Sequence, residues 1–156
     1  MIQMLSQLHS NDRVVYMYLD GPPRDIRKRL DSIGVTKKHD SRIAFARYSF
    51  SYNKDKIPDG VVEVLKFLRP ADRGIVIIDT VTSASGGTND SNEYREWHSN
   101  HVKHFLAEGY AVILLDHEPK SPDNRTQRGT SAKRDLTRLQ YRLYRPNTPN
   151  LSLIHI

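Results

Sequence analysis

Two short apolar runs organise this chain. The first, Ile75-Val76-Ile77-Ile78, is unbroken and ends in Asp79 and Thr80. A wholly apolar, β-branched run of this length is the pattern of a strand buried on both faces. The second, residues 110–115 (YAVILL), ends in Asp116 and His117. Between them lies a polar loop over residues 83–92, rich in Ser, Gly and Asn. It leads into a helix predicted to start at an Asn92 cap, to turn Tyr94, Trp97, Val102, Phe105 and Leu106 inward, and to end at Gly109. Upstream, residues 13–19 (RVVYMYL) predict a strand closed by the turn Asp20-Gly21-Pro22-Pro23. Pro23 opens a predicted helix whose stripe is Ile26, Leu30 and Ile33, stopped by Gly34. Residues 43–50 predict a further strand, and Pro58-Asp59-Gly60 opens a helix with Val61, Val64, Leu65 and Leu68 on one face. A loop over 118–130 and a last strand near 136–144 complete the pattern. Strands alternating with helices predict an α/β, doubly wound, mostly parallel sheet.

Composition narrows the class without naming a function. The 156 residues are 37% hydrophobic and 27% charged, which fits one folded domain with polar loops. No apolar run approaches the roughly 20 residues that cross a bilayer, and the first residues lack a secretory pattern. With no cysteine, disulfides and thiolate metal sites are excluded, and a cytoplasmic protein is the expectation. The formal charge of +6 permits contact with nucleotide or nucleic acid. Much of the excess is local: Arg125, Arg128, Lys133, Arg134, Arg138, Arg142 and Arg145 crowd the last quarter. Such a run is more often a solvated face than a binding site.

Open α/β sheets take their ligands at the carboxyl ends of the strands. Asp79 stands at such an end, and in nucleotide-binding sheets an acid there holds Mg²⁺, usually through water, and so positions the phosphates. The plainer alternative is that it only caps the segment that follows.

Taken in order, these parts resemble the RecA-like core of AAA-family ATPases, in particular the RepA-type and DnaB-like helicases and helicase–primases of phages and plasmids. The motifs that carry the resemblance are IVIIDTVTSASG, AVILLDHEPK and QRGTSAKRDL, with a weaker match in VVYMYLDGPPRDIRKRLDSIGV. The resemblance implies a P-loop NTPase type of sheet, with ATP and Mg²⁺ as cofactors. It makes Asp79 the acid that orders Mg²⁺ and His117 a sensor of the γ-phosphate. Asp20 falls where the family has a glutamate that polarises the attacking water; it is one methylene shorter. Lys120 falls near the γ-phosphate. Arg142 and Arg145 fall near the arginine that one subunit of a hexamer presents to its neighbour's nucleotide. Arg125, Arg128, Lys133 and Arg134 fall where a basic segment tracks single-stranded DNA.

One part of the family pattern is missing from these residues: no Gly-x-x-x-x-Gly-Lys-Ser/Thr occurs. In the family that loop and its strand precede the strand at 13–19, separated from it by a helix, and Ile2, Leu5 and Leu8 resemble that helix's end. The expectation is an N-terminally truncated core over residues 1–145 that lacks its first strand and phosphate loop. In the family that strand lies between those at 110–116 and about 137–144, so two interior edges are left without a partner. The chain is therefore expected to be poorly stable and weak in ATP binding by itself. An irregular tail is expected over 146–156, with 151–156 resembling translated adapter sequence and so non-native.

Three rival readings stand beside this one. Asp79, Asp116, His117 and Glu118 can be read as a metal-dependent phosphoesterase site. Asp20 and the missing loop support a non-catalytic nucleic-acid or protein binding module; Tyr48, Tyr52 and Tyr94 are stacking candidates, although scattered tyrosines are more often packing residues. His98, His101 and His104 have a spacing that can gather metal ligands, although a solvated helix face is the commoner outcome.

Overall fold

A computed structural model describes residues 9–19, 22–32, 41–47, 56–87, 90–117, 131–143 and 152–155. The chain runs β1 (Arg13–Tyr18), α1 (Pro23–Ser32), β2 (Ile43–Arg47), α2 (Asp59–Leu68), β3 (Gly74–Asp79), α3 (Val81–Ala84), α4 (Ser91–Asn100), α5 (Val102–Ala107), β4 (Ala111–His117), α6 (Ala132–Asp135), β5 (Gln140–Leu143) and β6 (Ser152–His155). Six strands form one sheet in the order β2-β1-β3-β4-β6-β5, and the first four are parallel. The architecture is therefore α/β and mostly parallel, as the alternation predicts.

Strand periodicity decides what each face of the sheet buries. Val15, Met17, Val76, Ile78, Val112 and Leu114 point to one side, against Val61, Val64, Leu65 and Leu68 of α2, Tyr94 and Trp97 of α4, and Val102 and Phe105 of α5. Val14, Tyr16, Ile75, Ile77, Ile113 and Leu115 point to the other, with Ile26 of α1. Both faces are covered, which is why β3 can be apolar along its whole length. Leu68 and Phe105 are fully buried, and cutting either back to alanine costs about 2–5 kcal/mol.

At the amino ends of the strands, the Arg73 guanidinium grips Asp12, with Nε 3.1 Å from Oδ1 and Nη2 2.5 Å from Oδ2. That fork joins the starts of β1 and β3, and it holds the Asp12 carboxyl below its ordinary pKa.

Four expectations are corrected by these elements. The helix expected after Asn92 is capped by Asp90, whose Oδ1 accepts from the amides of Asn92 (2.7 Å) and Glu93 (3.0 Å). It also breaks at His101, whose ring Nδ1 lies 2.8 Å from the Trp97 carbonyl that already accepts the His101 amide. Beyond that break Leu106 faces outward, 48% exposed. Finally, residues 152–155, expected to be irregular, form a strand that pairs antiparallel with β4 and β5. The expected helix end at residues 2–8 lies outside the described residues, as do Tyr48 and Tyr52.

Candidate nucleotide site at the carboxyl ends of the parallel strands

The carboxyl ends of β1, β3 and β4 meet along one edge of the sheet. Asp79 closes β3, half-buried, in register with Tyr18 of β1 and Leu115 of β4. One strand over and two residues back, the Tyr16 hydroxyl donates to Asp79 Oδ2. The Tyr16 ring is itself set against Phe45 of β2, 6.2 Å between centroids. The carboxylate is thus aimed by its neighbouring strand. The Asp79–Thr80 peptide bond is cis, and Thr80 Oγ1 then caps α3 by accepting from the Ser83 amide at 3.3 Å. The cap of the following helix is therefore Thr80, not Asp79, which removes the plainer reading of that acid. One hard carboxylate at a strand end suits a Mg²⁺ ion that keeps its waters and rides on phosphates, rather than a metal caged by protein ligands.

Asp116 has a different fate. Because Asp79 pairs with Leu115, the next residue of β4 points through the opposite face. There Asp116 is buried, with the Thr82 hydroxyl donating to Oδ1 at 2.6 Å and Lys133 Nζ donating to Oδ2 at 2.7 Å. Lys133 Nζ also reaches Thr82 Oγ1 at 3.2 Å and lies 5.8 Å from the Tyr94 ring centre. Burial, and then the Asp116 charge, push the Tyr94 phenol above its ordinary pKa, so it stays neutral.

This geometry corrects several sequence expectations. Asp79 and Asp116 do not converge on one metal, since they leave the sheet on opposite faces and Asp116 is already held by Lys133; the phosphoesterase reading loses Asp116, and its Glu118 lies outside the described residues. Lys133, expected on a DNA-tracking surface, is 1% exposed and holds a carboxylate instead. Tyr94 is equally buried and has no face to offer a base. His98 and His101 are buried rather than solvated, and burial lowers the pKa of each. Among the described residues no group of three or more His, Asp or Glu side chains is placed to hold a metal.

The remaining candidates are less fully located. His117 is the last residue of β4 and Arg142 lies on β5, the end strand of the sheet, but their side chains are outside the description. Arg134 is exposed on α6. Asp20, Lys120, Arg125, Arg128 and Arg145 lie outside the described residues. Sequence reading missed Tyr16 and Thr82 altogether. Tyr16 carried one usable signal, a polar-tipped residue in an apolar strand, whereas nothing local marked Thr82.

In open α/β sheets ligands bind beyond the carboxyl ends of the strands, which is where Asp79 stands. The sequence profile of the AAA domain family matches residues 7–123, and the chain belongs to that family, within the RecA-like ATPase class. Among solved structures it is similar to a KaiC-like protein from the hyperthermophilic archaeon Pyrococcus horikoshii OT3, with 21% identity and a TM-score of 0.47. That similarity covers 71% of this chain and spans 62% of the other. No curated protein matches the sequence. Among the described residues no helix is long and apolar enough to cross a membrane.

Proposed function

We propose that this chain is the Mg²⁺-ordering part of an ATPase core that drives a DNA helicase or helicase–primase of phage or plasmid type. The observation that carries the reading is the Asp79 carboxylate, held by the Tyr16 hydroxyl at the ligand-binding end of a buried parallel strand. When bound, Mg²⁺ offsets charge on the β- and γ-phosphates of ATP. Asp79 would hold that ion through water, and Tyr16 keeps its carboxylate in one orientation. Asp20 orients the attacking water, His117 and Lys120 read the γ-phosphate, and Arg142 or Arg145 completes the site of the next subunit in a hexamer. Arg125, Arg128 and Arg134 supply positive charge for single-stranded DNA, a role from which burial removes Lys133.

The phosphate loop is the part these residues do not contain, so the test begins with the source DNA upstream of the Met1 codon. If an in-frame Gly-x-x-x-x-Gly-Lys-Ser/Thr is found there, the longer protein is assayed; a stop codon there instead favours the second reading below. Mg²⁺-dependent ATP hydrolysis is expected, and Asp79→Asn should lower kcat roughly 100-fold or more, the scale of losing one preorganised electrostatic contact. Hydrolysis that ignores both Mg²⁺ and Asp79→Asn would sink the reading.

The missing phosphate loop and the aspartate at position 20 favour one second reading, a non-catalytic module that binds nucleic acid. That reading expects steeply salt-dependent binding of single-stranded DNA with no ATP hydrolysis.

A further inference from the structure

The Asp116–Lys133 ion pair is closed off from water on both sides, its side chains 0% and 2% exposed. Two buried charges are seldom the most stable filling for such a space, because apolar side chains of equal volume avoid the desolvation cost. What the pair does provide is a fixed geometry at a junction of three elements. Thr82 belongs to α3, which follows Asp79; Asp116 sits at the end of β4, just before His117; Lys133 belongs to α6. The three polar groups form a closed triangle of 2.6, 2.7 and 3.2 Å. Nearby, an exposed Arg95–Asp135 bridge of 3.0 Å also links α4 to α6, but an exposed pair contributes little by itself. Residues 117–132, with Lys120, Arg125 and Arg128, lie between the two charged partners in sequence, so the same contact draws together the ends of that stretch.

We propose that Lys133 is a positioning residue: by neutralising Asp116 and holding it against Thr82, it ties the end of β4 to the turn after Asp79, so that undocking α6 loosens both together. The proposal rests on the reading above, in which Asp79 and His117 border a nucleotide.

Backbone amide hydrogen exchange on this chain tests the tie, in the wild type and in Lys133→Met, Lys133→Arg and Thr82→Val. In Lys133→Met, exchange in residues 81–87 and 111–117 should rise about tenfold, the size expected for losing a hydrogen bond to a charged group. Residues 13–18 and 43–47 should exchange as in the wild type. Lys133→Arg, which keeps the charge, should restore protection at least in part. Thr82→Val leaves the ion pair in place and should give a smaller rise confined to 81–87, and it decides the matter if Lys133→Met does not fold. Wild-type exchange in both segments, or an equal rise in every strand, overturns the tie. The Mg²⁺-dependent ATP hydrolysis of the protein carrying the phosphate loop, with and without Asp79→Asn, separates the two readings. Hydrolysis indifferent to that change counts against the nucleotide site, while the exchange pattern still decides whether Lys133 couples the strand ends.

Discussion

Gly74 opens β3 directly beneath the Tyr110 ring. A Cβ there would lie much closer to three carbons of that ring than van der Waals contact permits. The absence of a side chain is what lets β3 start so close to the residue that precedes β4. Gly74→Ala should therefore destabilise the fold by about 1–3 kcal/mol, the usual cost of overpacking. Adding Tyr110→Ala should recover part of that loss in thermal or urea melts. Gly109 acts differently, since its φ of +81° turns the chain out of α5 and is open to glycine at no steric cost. Asp79 and Lys133 show how differently two charged residues can be read at this scale. Asp79 was legible because its place at the end of an apolar run is a local property. Lys133 looked like one more basic residue in a basic stretch, because its burial depends on an acid seventeen positions earlier.

The helical pair α4–α5 makes the same point about elements. Its apolar face was legible: Tyr94, Trp97, Val102 and Phe105 recur at helical spacing and all are buried. His98 and His101 were not, because imidazole suits a surface and an interior almost equally. In the fold, His101 stacks on Trp97, 5.8 Å between ring centres, and His98 lies 6.5 Å from the Tyr94 ring. Burial lowers the pKa of both below the ordinary 6.5, with the positive charge of Lys103 adding to the effect at His98. Depressed values mean that the unfolded chain takes up protons more readily than the native one. These groups thus contribute their full stability above pH 6.5, and it is lost as pH falls from there through the lowered native values. The melting temperature should drop between pH 7.5 and 5.5. His98→Phe, which cannot be protonated, should flatten that dependence; an unchanged pH profile in this variant would show that His98 does not contribute to it.

Across the whole molecule, the decisive feature is what lies between β4 and β5. Family resemblance reserves that slot for a parallel strand leading into the phosphate loop, and leaves two interior edges bare without it. Here β6 occupies it, antiparallel to both neighbours, pairing Asp116 with Leu153 and Tyr141 with Ile154. A bare edge exposes a row of amides and carbonyls that recruits other chains. Deleting residues 151–156 should therefore lower the melting temperature and raise light scattering at equal concentration. A shortened chain that melts as the full one does would show that β6 adds nothing to the sheet. The slot was foreseeable from topology, but its occupant was not, since a short apolar ending carries no signal of where it will pair.

What the sequence determined by itself was everything that depends on spacing along the chain. The four parallel strands and the acid closing β3 follow from short apolar runs alternating with helices, and the buried face of α2 and most of the inward face of α4–α5 from a period of 3.6 residues. Runs and periods are properties of a few consecutive residues. Only the tertiary structure decided that Asp79 and Asp116 leave the sheet on opposite faces, that Tyr16 aims one and Lys133 neutralises the other, and that β6 fills the gap beside β4. Each of these depends on strand register or on the meeting of distant segments, and a one-residue slip of β4 would put both acids on the same face.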